Sequence, residues 1–129
     1  MLQLKKVHHI AIICSNYEVS KKFYTESLGL QIIREVYRKD RDSFKLDLAI
    51  DENYIIELFS FPNPPERTSR PEACGLRHLA FEVEDIEKAH NHCLTNDIDA
   101  ETIRIDEFTN KKFFFINDPD NLPIEFYEN

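Results

Sequence analysis

Two glutamates sit where glutamates rarely sit. Glu57 lies in the run Tyr54-Ile55-Ile56-Glu57-Leu58-Phe59, and Glu125 lies between Ile124 and Phe126. A carboxylate among apolar neighbours on a strand loses its hydration when the strand packs. That loss costs several kcal/mol unless a cation or a strong donor meets the charge. A histidine precedes each glutamate at nearly the same distance: 48 positions separate His9 from Glu57, and 47 separate His78 from Glu125. Two neutral imidazoles and two carboxylates balance a dication, and such donors suit zinc or nickel foremost, with cobalt, manganese or iron(II) also compatible. His9, Glu57, His78 and Glu125 are therefore the expected ligands of one divalent metal, with remaining positions open to a chelating substrate. Taken singly, a strand histidine is more often packed and a strand glutamate more often paired with lysine. The duplication at matched spacing is what favours ligation.

The segments around these residues repeat as well. His9-Ile10-Ala11-Ile12 is echoed by His78-Leu79-Ala80-Phe81, and Ile56-Glu57-Leu58-Phe59 by Ile124-Glu125-Phe126-Tyr127. Alternation predicts a first strand over 7–13, with His9 on one face and His8 on the other, at a boundary or in the core. Asn16 is the expected N-cap of a helix whose apolar face is Val19, Phe23, Tyr24 and Leu28, closed by Gly29. Strands follow at about 31–37, 44–50 and 54–61. The second half repeats the plan: a strand over 77–83, then a helix capped by Asp85 with Ile86, Ala89, Cys93 and Leu94 inward. Its last strands fall near 101–105, 112–117 and 122–127. His90 and His92 lie on that helix as surface or packing residues.

The expected fold is therefore α+β, a single domain over 1–129 made of two βαβββ modules at about 5–61 and 76–128. Four of the six prolines fall in 62–75, which reads as an ordered crossover because proline cannot donate to a sheet. Only two glycines occur, too few for a glycine-rich phosphate loop.

With 129 residues, 42% hydrophobic and 31% charged, the chain has the balance of one soluble globular domain. A net charge of −8 lacks the positive field that nucleic acid requires. No apolar run reaches the length of a membrane span and no leader opens the chain, so a membrane partner is not expected. Cys14, Cys74 and Cys93 form no CxxC pair, and the expectation is a reduced, cytoplasmic protein. Arg38, Arg41, Arg67 and Arg70 are solvated loop charges in the bland reading. As a set they point to an anionic small-molecule substrate, with Arg41, Arg67 and Arg70 as weak binding candidates.

These residues resemble the vicinal oxygen chelate superfamily, which includes glyoxalase I, bleomycin-resistance proteins, fosfomycin-resistance enzymes and extradiol dioxygenases. The resemblance spans His9-Ile10-Ala11-Ile12, Phe23-Tyr24, Leu28-Gly29-Leu30, Ile56-Glu57-Leu58, His78-Leu79-Ala80-Phe81 and Asp118-Pro119-Asp120-Asn121. It is strongest to small bacterial glyoxalase-like proteins. It implies two modules forming a curved mixed sheet, and a homodimer. It also implies a metal-dependent lyase or isomerase acting on a small α-hydroxy or α-keto compound through a metal-stabilised enediolate. In that scheme Glu125 is the general base and Glu57 a ligand or partner acid. Ile13 stands where bacterial glyoxalases I place an arginine for glutathione, a departure that speaks against that cosubstrate. A metal-dependent, extradiol-type dioxygenase and a non-enzymatic binding module are the alternatives.

Overall fold

The computed structural model describes all 129 residues, which divide into two compact units, Met1–Pro65 and Glu66–Asn129. In the first, β1 (Ile10–Cys14) leads into α1 (Tyr17–Lys22), whose last turns widen into a π-helical segment over Phe23–Ser27. Then come β2 (Gln31–Arg38), β3 (Ser43–Ile50) and β4 (Asn53–Ser60). The sheet order is β1-β4-β3-β2, with β1 parallel to β4 and the other neighbours antiparallel.

The second unit repeats this. Its elements are β5 (Leu79–Val83), α2 (Ile86–Thr95), β6 (Arg104–Ile105), β7 (Lys112–Asn117) and β8 (Pro123–Glu128). They form a sheet ordered β5-β8-β7-β6, again with only the first pair parallel. Two four-stranded mixed sheets, each with one helix between its first and second strands, is the βαβββ plan read from the repeat.

Period-two alternation decides which side chains each sheet hides. In the first unit Leu46, Leu48, Ile56 and Leu58 are fully buried, leaving Lys45, Asp47 and Glu57 to the opposite face. In the second, Phe114, Ile116 and Ile124 are buried, and Phe113, Phe115 and Glu125 take the other side. Each large apolar side chain so buried stabilises the fold by about 1.5–3 kcal/mol.

The helices depart from expectation in which side chains face inward. In α1 the buried stripe is Tyr17, Ser20 and Tyr24, at i, i+3 and i+7, and Val19 is half exposed. Leu94 of α2 is likewise exposed, while Ile86 and Cys93 are buried. Both N-caps form as expected: Asn16 Oδ1 accepts from the Val19 N–H at 3.2 Å, and Asp85 Oδ1 from the Lys88 N–H at 2.9 Å. Gly29 closes the first helix at φ +77°, the left-handed conformation that a Cβ disfavours. No helix is long and apolar enough to cross a membrane, and no disulfide joins the three cysteines.

Candidate functional site

Both histidines stand immediately before a strand rather than within it. β1 starts at Ile10, so alternation does not reach His8, which corrects its expected place on the opposite face. His8 is exposed, with its Nδ1 2.7 Å from His9 Nδ1 and its ring edge-on to Tyr54. The His9 ring stacks on Tyr54 at 4.9 Å between centroids.

The parallel register of β1 on β4 sets Ala11 beside Glu57, which brings the preceding His9 to the same end. His9 Nε2 lies 3.9 Å from Glu57 Oε2, with the two side chains 35% and 16% exposed. The second unit reproduces the arrangement more tightly. Ala80 pairs with Glu125, and His78 Nε2 lies 3.0 Å from Glu125 Oε2. Two donors each about 2.1 Å from a zinc-like ion lie roughly 3–3.4 Å apart. The His78–Glu125 spacing of 3.0 Å therefore fits a shared ion, and the His9–Glu57 spacing of 3.9 Å exceeds that range by about half an ångström. Donor type and spacing suit a divalent metal. Neither unit by itself gathers three or more His, Cys, Asp or Glu side chains in metal-binding proximity.

The two pairs differ in what else touches the carboxylate. Lys45 Nζ lies 3.3 Å from Glu57 and 2.6 Å from Asp47. The Tyr54 hydroxyl is 2.9 Å from each of the same two carboxylates, and its single proton serves one of them at a time. Glu57 thus already has a cation and a donor from its own sheet, and its burial alone demands no outside charge. Burial by itself would raise the Asp47 carboxyl, but hydrogen bonds from Lys45 and Tyr54 overcome that and hold it below its usual range. Burial would lower the Lys45 ammonium, and the paired carboxylates overcome that too, raising it. Burial and the same two carboxylates push the Tyr54 phenol up.

Nothing of this kind surrounds Glu125. The strand positions equivalent to Lys45 and Asp47 are Phe113 and Phe115, and the Phe115 ring meets His78 edge-on at 5.1 Å. Arg77 Nη1 lies 3.1 Å from His78 Nδ1. Without an ion, the tautomer with its proton on Nε2 serves both contacts, Nδ1 accepting from Arg77 and Nε2 donating to Glu125; ligation through Nε2 would move that proton to Nδ1 and end the acceptance from Arg77.

Lys45, Asp47 and Tyr54 were not among the sequence candidates. Their signal was the alternating Lys45-Leu46-Asp47-Leu48, which a tight hairpin at Asp51-Glu52 must lay against Glu57. Of the candidate arginines, Arg67 holds the crossover together. Its donors go to the carbonyls of Leu76 and Arg77, at 2.6 and 3.0 Å, and to Ser69 Oγ. Arg38 stacks over Phe59 and Phe61 and donates to Ser43. Arg41 lies exposed in the turn before β3, and Arg70 lines a cleft in the second unit.

Residues 6–126 match the family model of the Glyoxalase/Bleomycin resistance protein/Dioxygenase superfamily. The chain is 61% identical over 128 residues to the protein YaeR of Escherichia coli (strain K12), covering 99% of each. Among solved structures, it is similar to SMU.1112c at 45% identity and TM-score 0.92, covering 98% of this chain and 100% of that one. A glyoxalase family protein from Enterococcus faecalis is also 45% identical, with TM-score 0.89, covering 96% of this chain and 98% of the other.

Proposed function

Because the chain belongs to the Glyoxalase/Bleomycin resistance protein/Dioxygenase superfamily, we propose that it is a metal-dependent lyase or isomerase of the glyoxalase type, acting on a small α-hydroxy or α-keto compound. The superfamily includes metal-dependent enzymes such as lactoylglutathione lyase, and its members typically bind a divalent metal. In this reading His9, Glu57, His78 and Glu125 supply the donors for one ion, zinc or nickel foremost. When bound, that ion supplies Lewis-acid polarisation of a substrate carbonyl, which makes the adjacent C–H easier to ionise.

The chain's own residues divide the rest of the work, and the unlike surroundings of the two glutamates carry the assignment. Glu57 is engaged by Lys45 and Tyr54 on one oxygen, so it is a fixed anion suited to holding charge in place. Glu125 meets His78 and lies across from Phe115, with no lysine or tyrosine donor on it. To Glu125, the carboxylate without a lysine or tyrosine partner, falls the proton taken from the hydroxyl-bearing carbon. Returning that proton to the neighbouring carbonyl carbon, while the hydroxyl proton passes to the former carbonyl oxygen, completes a net 1,2 shift of hydrogen.

The test is Glu125→Gln in nickel- or zinc-loaded protein, assayed on a panel of α-hydroxy aldehydes, α-hydroxy ketones and hemithioacetals of α-keto aldehydes. Turnover is expected to fall by about 10²–10⁴-fold, the usual contribution of a positioned acid–base group, with the fold intact. Full activity in Glu125→Gln, or oxygen consumed with each turnover, overturns the reading. The second result would favour a dioxygenase.

A further inference from the structure

Beside His78 the second unit opens a cleft of about 280 Å³, lined among others by Arg70, Arg77, Arg104, Asp99, Glu101 and Phe115. On a chain of net charge −8, three guanidinium groups around one hollow reverse the local sign.

They are not equivalent. Arg104 is a wall: its Nε and Nη2 reach Glu101 Oε1 at 3.1 and 2.8 Å, and its plane covers the Phe113 ring at 4.7 Å. Glu101 is fixed in turn by accepting the Phe115 N–H at 3.0 Å. That carboxylate and that arginine neutralise each other. Arg77 spends one donor on His78 Nδ1, and its one ion pair is a 3.7 Å approach to Glu72, both side chains being more than half exposed, worth little in water. Arg70 makes no hydrogen bond or ion pair. Two guanidinium groups therefore face the cleft with donors to offer, against Asp99 as the one carboxylate not already matched.

We propose that Arg70 and Arg77 bind the anionic group of a small organic acid, a carboxylate or phosphate ester, whose reacting carbon lies at the His78–Glu125 pair. The planar, multiply donating guanidinium fits both anions. The cleft also joins that pair directly, because Phe115 lines the one and packs against the ring of the other, and Arg77 touches both. A volume at the low end of small-molecule pockets, about 300–1,000 Å³, restricts the ligand to a compact acid. The inference rests on Glu125 being the proton-transferring residue, since that is what places the substrate's other end.

The experiment is a titration of ¹⁵N-labelled full-length protein with inorganic phosphate and, separately, with malonate, at constant ionic strength set by chloride. Saturable amide shifts confined to Arg70, Arg77, Arg104 and Phe115 are expected. Arg70→Gln and Arg77→Gln are each expected to weaken binding at least tenfold, and Lys88→Gln, an exposed position of α2 that does not line the cleft, to leave it unchanged. The tighter of the two anions identifies the group. Shifts that do not saturate, that fall elsewhere, or that persist undiminished in Arg70→Gln overturn the proposal. Binding is read without turnover, so it can fail while Glu125→Gln still abolishes the reaction, and the two readings are separable.

Discussion

The residue that organises the first unit's polar face is Lys45. Its ammonium lies within 3.3 Å of two carboxylates, Asp47 and Glu57, whose side chains are 8% and 16% exposed. Two partly desolvated anions on neighbouring strands repel, and the lysine converts that repulsion into a satisfied network with Tyr54 as its second donor. Lys45→Met is therefore expected to destabilise the protein by about 2–3 kcal/mol, the range for leaving a buried charged group unpaired. Denaturant unfolding checks this. The double variant Lys45→Met with Asp47→Leu is expected to recover more than half of the loss, because the pair of like charges is then gone. If the double variant is as unstable as the sum of the singles, the network is not what Lys45 contributes. The sequence showed Glu57 as an anomaly but offered a metal as its resolution. The nearer resolution was missed because it needs the register of one hairpin, which places Asp47 across from Glu57.

At the scale of elements, the helix caps were read correctly. Asn16 and Asp85 announce their helices through a hydrogen bond three residues long, a rule that needs no tertiary context. Where a strand begins depends on its partner, and there alternation overshot. It carried β1 back to Val7, which is exposed, and it extended β6 over 101–105, where only Arg104 and Ile105 are in strand because Glu101 turns its carboxylate onto the Phe115 N–H and Arg104. The caps also carry a pH dependence. The backbone N–H of Lys88 holds the Asp85 carboxyl below its ordinary value of 3.8, against a smaller opposing effect of burial. A carboxyl depressed on folding contributes stability that is present above its unfolded value and lost as pH falls through its folded one. Protection from hydrogen exchange in the first turn of α2, taken relative to the intrinsic rate at each pH, is thus expected to fall below about pH 3.8, starting from the Lys88 amide. Asp85→Asn, which caps without titrating, is expected to flatten that profile. An unchanged profile in Asp85→Asn would mean that acid loosens the helix by another route.

For the whole molecule, the question is why a duplicated module keeps its histidine and glutamate yet changes everything next to them. The backbone plan is the same in both units, strand for strand, and both cores are built from the same buried positions. On the opposite faces, Lys45 and Asp47 are replaced by Phe113 and Phe115. The recurring His–Glu pair adds nothing to either buried core, since Glu57 and Glu125 both lie on the face opposite it. The proposed function accounts for this as two roles, one glutamate fixed by its neighbours and one without a lysine or tyrosine partner. The repeat was legible because it is written in residue types at matched spacing; the unlike surroundings of the two glutamates were not, because they lie in cross-strand neighbours. The decisive measurement is metal content together with stability. If all four residues serve one ion, elemental analysis gives one nickel or zinc per chain. At a free metal concentration 100 times the dissociation constant, binding then adds about 2.7 kcal/mol and raises the melting temperature by roughly 10 °C. His9→Ala and His78→Ala must then each abolish most of that rise, although they belong to different units. Two ions per chain, or a rise that survives in either variant, would mean that each unit holds its own ion and that the pairs do not act together.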